Sequence, residues 1–275
     1  MIQLRRPALT LCAIVVAIAA SGCGSSSGTP TAAPVSDPNE IITRSAAGLA
    51  GVQTVHFDIA IAGSVNMGAL GGLTGSGSSA LSGSIKLDGA SVTGDLDIAK
   101  RAYHVSASLP TLFGLTADLI QVDGYRYTKI STSGDKYTKS EVSTPLLPSA
   151  APSATLDVAD TVNQLKSSLN AAGAQATLVG RDKVDGRDAY HVTVNVPVDK
   201  LNQQIGATGG SAASGISVDT ASFDYWVYVD SLQPAKLDVK GSSASLGSID
   251  LTVTLTKYDQ PVTITVPPDS EIQSS

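Results

Sequence analysis

Three Asp-Gly pairs set between runs of alternating residues constrain this chain most: Asp88-Gly89, Asp123-Gly124 and Asp185-Gly186. Both residues of such a pair tolerate positive φ, which suits the type I′ turn joining two antiparallel strands. The flanking runs have the period of strands. Val55, Phe57, Ile59 and Ile61 alternate with His56, Asp58, Ala60 and Ala62, placing the apolar set on one face. Residues 85–87 are expected to pair with 92–98, 119–122 with 125–130, and 177–184 with 189–196, with 103–107 as a further strand. The C-terminal third reads as strands at 218–230, 235–240, 246–256 and 262–266, with Pro234 and Pro261 at turns. These runs predict a meandering antiparallel sheet of roughly ten strands.

Few helices accompany them. Asp37-Pro38-Asn39-Glu40 combines a cap, a proline for the first helical position and a carboxylate three residues after the cap, so a helix is expected over 38–50. Leu156, Val158, Val162, Leu165 and Leu169 form one apolar stripe that Gly173 terminates, and a shorter helix is expected over 198–205. The fold class is therefore α+β: a large curved antiparallel sheet with two or three helices on one face. A sheet that wide curls. Aromatic residues make up only 4% of the chain, so large rings do not fill the hollow, and an apolar cavity is expected there. Its candidate lining is Phe57, Ile59, Ile61, Val105, Leu119 and Trp226 from strands, with Val158, Val162, Leu165 and Leu169 from the helical stripe. In a filled core the same residues are ordinary packing. Residues 66–83, rich in Gly and Ser around Met67, Leu70 and Leu73, read as a long loop, either a lip to the cavity or a spacer.

The N-terminus adds an address. Arg5 and Arg6 precede an apolar run over 8–20, and Ser21-Gly22 precede Cys23. The run is too short to span a bilayer and has the plan of a lipoprotein signal, with Ala20 where leucine is usual. Residues 1–22 are expected to leave and Cys23 to carry lipid. Residues 24–36, uncharged and small, form a tether with a reach of roughly 20 Å. A single domain is expected over 37–275. Loss of Arg5 and Arg6 takes the net charge from −6 to −8, and such an acidic chain is a poor ligand for nucleic acid. With Cys12 gone and Cys23 acylated, no disulfide or cysteine metal site is expected.

Several segments carry a family resemblance: residues 49–57 (LAGVQTVHF), 122–127 (VDGYRY), 180–186 (GRDKVDG) with Tyr190 and Val192, 226–230 (WVYVD) and 257–262 (KYDQPV). In this order, behind a lipobox, they resemble the LppX/LprA/LprF/LprG lipoproteins of mycobacteria and other actinobacteria. The resemblance implies a LolA/LolB-like half-barrel backed by helices around an apolar cavity. It also implies a role in holding acyl chains of lipids or lipoglycans and moving them through the cell envelope. A membrane export protein is an expected partner, and the outer face of the cytoplasmic membrane the expected location.

Other chemistry finds little support. His56, His104 and His191 lie on separate strands without metal-ligand spacing. Gly24-Ser25-Ser26-Ser27-Gly28 spells GxSxG, but it lies in the tether with neither strand before nor helix after. The glycine-rich loop lacks the Gly-Lys-Ser/Thr ending of a phosphate loop. Neither an enzyme nor a cofactor is expected. The alternative to a carrier is an envelope interaction lipoprotein with a filled core and no ligand.

Overall fold

The computed structural model describes residues 35–49, 51–66, 83–142, 172–208 and 217–273, with the single residues 167 and 170. Two α-helices appear among them, α1 (Pro38–Gly48) and α2 (Val198–Thr208). In α1 the Asp37 carboxylate accepts the Asn39 backbone N–H at 2.8 Å and Pro38 takes the first turn, as the capping pattern requires. Glu40 and Arg44 pair one turn apart. The helical stripe expected at 156–169 and the loop around Met67, Leu70 and Leu73 lie outside the described residues, as do Cys23 and the tether.

The strands are β1 (Thr54–Asn66), β2 (Ser84–Lys86), β3 (Ala90–Asp97), β4 (Ala102–Leu109), β5 (Leu115–Val122), β6 (Tyr125–Ile130), β7 (Thr138–Glu141), β8 (Gln175–Val184), β9 (Arg187–Asn195), β10 (Thr220–Tyr228), β11 (Pro234–Ser243) and β12 (Gly247–Thr256). They form one 12-stranded antiparallel sheet in the order β7-β6-β5-β4-β3-β1-β12-β11-β10-β9-β8, with β2 pairing the end of β1. The sheet is open. Its edges are β7, four exposed residues, and β8, which carries a bulge at Val179. Short and bulged edges are poor templates for a further strand.

Two of the three Asp-Gly pairs close hairpins. Asp123 and Gly124 have φ of 53° and 79°, and Asp185 and Gly186 have 48° and 75°, both residues positive as type I′ requires. Asp88-Gly89 does not. Residues 85–87 do not pair with β3; β2 and β3 lie in line along the same side of β1. Only Gly89 has positive φ there, and the Asp88 carboxylate accepts the Gly63 N–H at 3.3 Å. The pair breaks a strand instead of reversing it, because side-chain capping by Asp serves a bulge as well as a turn. The strand expected at 262–266 is also absent. That tail runs irregularly past β7, and Ile272 makes a single parallel bridge to Tyr137.

The main buried cluster joins α1 to the sheet. Val35, Ile41, Ile42 and Leu232 pack on Tyr190, Val192 and Val227. Fully buried Ser45 hydrogen-bonds the Tyr225 hydroxyl at 2.7 Å, fixing the helix over β8–β11. On the β3 side, Gly94 lies under the Phe57 ring. A Cβ there would sit 2.6 Å from the His104 carbonyl oxygen and 2.8 Å from the ring. Gly94→Ala is therefore expected to lower unfolding stability by about 1–3 kcal/mol through overpacking, read as a lower urea midpoint; an unchanged midpoint would show that β4 moves aside freely.

Candidate functional site

Register carries one apolar face across the sheet. Phe57 stands opposite Leu255 on one side and Gly94 on the other, Gly94 opposite Val105, and Val105 opposite Leu119. The next row runs Leu237, Val253, Ile59, Val92, Ala107, Ala117 and Ile130. A third holds Val239, Leu251, Ile61 and Ala90. Side chains in one row share a face because the period is two. Phe57, Ile59, Ile61, Val105 and Leu119 thus come together, on β1, β4 and β5. All five are half-buried, and none joins a buried cluster among the described residues. Helix α1 covers the same face only over β8–β11. Among the described residues, no helix packs on this face over β1, β3, β4 and β5.

Trp226 departs from the set. It follows Tyr225, which faces α1, and so takes the opposite face. Its ring stacks on His191 at 4.3 Å, its indole N–H donates to Asp182 at 3.1 Å, and the Lys236 ammonium lies 4.4 Å from its ring centre. Those polar partners explain the placement: an indole needs an acceptor when buried. Val158, Val162, Leu165 and Leu169 lie outside the described residues. The residues that complete the face on the other side, Leu237, Val239, Leu251, Val253 and Leu255, were visible as alternation with Lys236, Asp238, Lys240, Thr252 and Thr254.

At one end the apolar face turns polar. Tyr103 pairs with Gln121 and Gln121 with Arg126. Tyr103 and Gln121 are buried, and Gln121 donates to the Arg101 carbonyl at 3.1 Å. Burial raises the Tyr103 phenol above its usual range, and Arg126 offsets part of that rise.

The opposite face is a ladder of carboxylates, hydroxyls and imidazoles. His56 Nδ1 meets Asp95 at 2.8 Å, His104 Nε2 meets Asp118 at 2.8 Å, and His191 Nε2 meets Asp224 at 2.8 Å. A shallow groove of about 450 Å³ lies here, lined by Ser91, Thr93, Ser106, Ser108, Asp118 and Lys129 among others. Ser106 donates to the same Asp118 oxygen that His104 contacts, and the Tyr137 hydroxyl donates to the other. Serine and histidine converge on the carboxylate, not on each other, so this is an acceptor held by three groups and not a nucleophile–base pair. No group of three or more metal-ligating side chains is positioned to hold a metal among the described residues. No described helix is long and apolar enough to cross a membrane.

The profile of the LppX_LprAFG lipoproteins matches residues 37–264. The chain belongs to the LppX_LprAFG lipoprotein family. No curated protein sequence matches. Among solved structures, the chain is similar to the Mycobacterium tuberculosis lipoprotein LppX, with 15% identity, a TM-score of 0.46, and coverage of 82% of this chain and 97% of that one. LprF from Mycobacterium bovis also has 15% identity and a TM-score of 0.46, with coverage of 84% and 96%. A LolA superfamily protein from Nitrosomonas europaea has 10% identity and a TM-score of 0.24, with coverage of 88% and 99%.

The polar face gives this family member a pH dependence. Burial would raise the Asp118 carboxyl, but hydrogen bonds from Tyr137, His104 and Ser106 outweigh it and the net shift is downward. Asp224 is lowered in the same way by His191 and Thr193. A depressed carboxyl stabilises the fold above its unfolded value of about 4 and loses that contribution as pH falls through the folded value. Thermal melts are therefore expected to drop steeply below about pH 4, and Asp118→Asn to be less stable at neutral pH with a shallower acid limb. Parallel acid limbs in the two proteins would remove Asp118 from that role.

Proposed function

We propose that the apolar face spanning β11, β12, β1, β3, β4 and β5 binds acyl chains of membrane lipids or lipoglycans, and that the protein helps move them through the cell envelope. The observation that carries this reading is the Phe57–Gly94–Val105–Leu119 row and its neighbours: a continuous, half-buried apolar surface under which Gly94 makes room for the Phe57 ring. A lipid chain has the chemistry to fill it. Exposing a chain of about sixteen carbons to water costs on the order of 13 kcal/mol, and an apolar lining removes most of that barrier. Within this reading residues 1–22 are a signal, Cys23 carries the lipid anchor, 23–36 is the tether, and 37–275 is a single binding domain on the outer face of the cytoplasmic membrane. Binding and release are the whole cycle, with no catalytic step. An export protein in the same membrane is the partner this reading calls for.

The chain lacking residues 1–23 is expected to copurify with acyl lipid, seen as added mass in native mass spectrometry that solvent extraction removes. Val105→Trp places a large ring in the centre of the row and is expected to reduce lipid retention at least tenfold with little loss of melting temperature. A clean apo mass that stays apo in excess lipid, with Val105→Trp strongly destabilised, would instead mean a filled core and an envelope interaction protein.

A further inference from the structure

Phe113 stands apart from every other large apolar side chain among the described residues. Its relative exposure is 105%, against 59% for Val179 and 43% for Ile249, the next most exposed large apolar residues described. It also holds φ of 57°, the left-handed region that a bulky side chain ordinarily avoids. The strain is imposed by a rigid turn. Between β4 and β5, the Leu112 N–H donates to the Leu109 carbonyl, Gly114 to Pro110, and Leu115 to Leu112, at 3.0–3.1 Å. The Thr111 hydroxyl ties the turn to the Lys86 carbonyl at 2.5 Å. Gly114, at φ 67°, completes it. A strained, firmly held aromatic this exposed has no packing role among the described residues.

Its position connects it to the apolar face. Leu109 pairs with Leu115, Ala107 with Ala117, and Val105 with Leu119, all on that face. An apolar ladder therefore leads from the Phe57–Val105–Leu119 row to the rim where Phe113 projects. No charged residue or histidine occurs from 105 to 117.

We propose that Phe113 is a membrane probe: its ring enters the interface of a lipid bilayer and sets this rim of the sheet against the lipid. Where the proposed lipid-binding reading holds, acyl chains then pass between bilayer and sheet along the Leu109–Leu115 ladder. A bilayer fits better than a protein partner. One ring on a narrow turn flanked by exposed Thr111, Gly114 and Thr116 offers far less than the ~800 Å² per partner of a stable protein interface. A membrane interface, in contrast, takes single aromatic rings readily. The chain's net charge of −6 and the uncharged turn mean that attraction to anionic lipid headgroups is not the driving force.

The test places an environment-sensitive dye on Phe113→Cys in the full chain carrying Cys12→Ser and Cys23→Ser, mixed with phosphatidylcholine vesicles. The apolar N-terminal run brings every variant to the vesicles alike, so the readout is local. Dye at 113 is expected to shift to the blue and to be quenched by nitroxide lipids in the bilayer, whereas the same dye on Asp123→Cys, at the opposite end of the sheet, stays in water. A second arm uses Phe113→Gly, which removes the Cβ strained at positive φ and is expected to melt at or above the parent temperature. It is expected to extract a fluorescent phospholipid from vesicles about tenfold more slowly, while binding the same lipid equally well when supplied from cyclodextrin. A dye at 113 that remains in water, or unchanged extraction with intact binding, overturns the proposal. Failure of both proteins to bind lipid from cyclodextrin sinks the carrier reading alone, and the dye still decides whether Phe113 enters a bilayer.

Discussion

The register of β1 against its two neighbours is the constraint on which the rest of the structure depends. β1 is the longest strand, and it alone joins the N-terminal meander to the C-terminal one. Because side chains alternate, a slip of one residue would turn Phe57, Ile59 and Ile61 to the polar face and bring His56 and Asp58 into the apolar one. Close approach of backbones helps to hold it. A Cβ on Gly63 would lie 2.3 Å from the Ser248 carbonyl oxygen, and one on Gly247 would lie 2.1 Å from that of Ser64. Only glycine permits β1 and β12 to meet there, and Gly63 and Gly247 both hold positive φ.

The two faces are products of one alternation, and they divide the work. On β1, β3, β4, β10, β11 and β12 the acidic and basic groups lie on the face opposite the apolar one, where each histidine finds a carboxylate and Trp226 is held between His191 and Lys236. That arrangement lets a sheet with little aromatic content keep one side free of charge over several strands. It also explains why the hydroxyl-rich groove near Asp118 reads as a structural polar network: its carboxylate oxygens already have partners.

Much of this was legible in the sequence because strand periodicity and turn chemistry are local. The alternation through 55–62, the hairpins at Asp123-Gly124 and Asp185-Gly186, and the Asp37-Pro38 helix start appear where those signals put them. Asp88-Gly89 departs from the expected turn because the same dipeptide serves a bulge when a long neighbouring strand runs past it; length of the partner is not a local property. The placement of Trp226 turned on which neighbour it follows, and only the pairing with α1 at Tyr225 orients β10. Val262, Ile264 and Val266 alternate as a strand does, yet Pro261, Pro267 and Pro268 surround them and the tail finds its contact through Ile264 and Ile272 near Tyr137 instead.

The central position of β1 has a consequence for how the chain acquires its structure. His56 pairs with Thr256 and Val65 with Gly247, so β1, made early, obtains the partner on one of its two flanks only from β12. Each meander can assemble by neighbouring contacts, but the seam between them requires closing a loop of roughly two-thirds of the chain, a slow kind of step in β-rich folding. Until that seam closes, one flank of β1 and the apolar rows on either side of it are open edges, and an arrest at that stage leaves two half-sheets that pair readily with other copies. β12 therefore both completes the sheet and covers the open flank of β1.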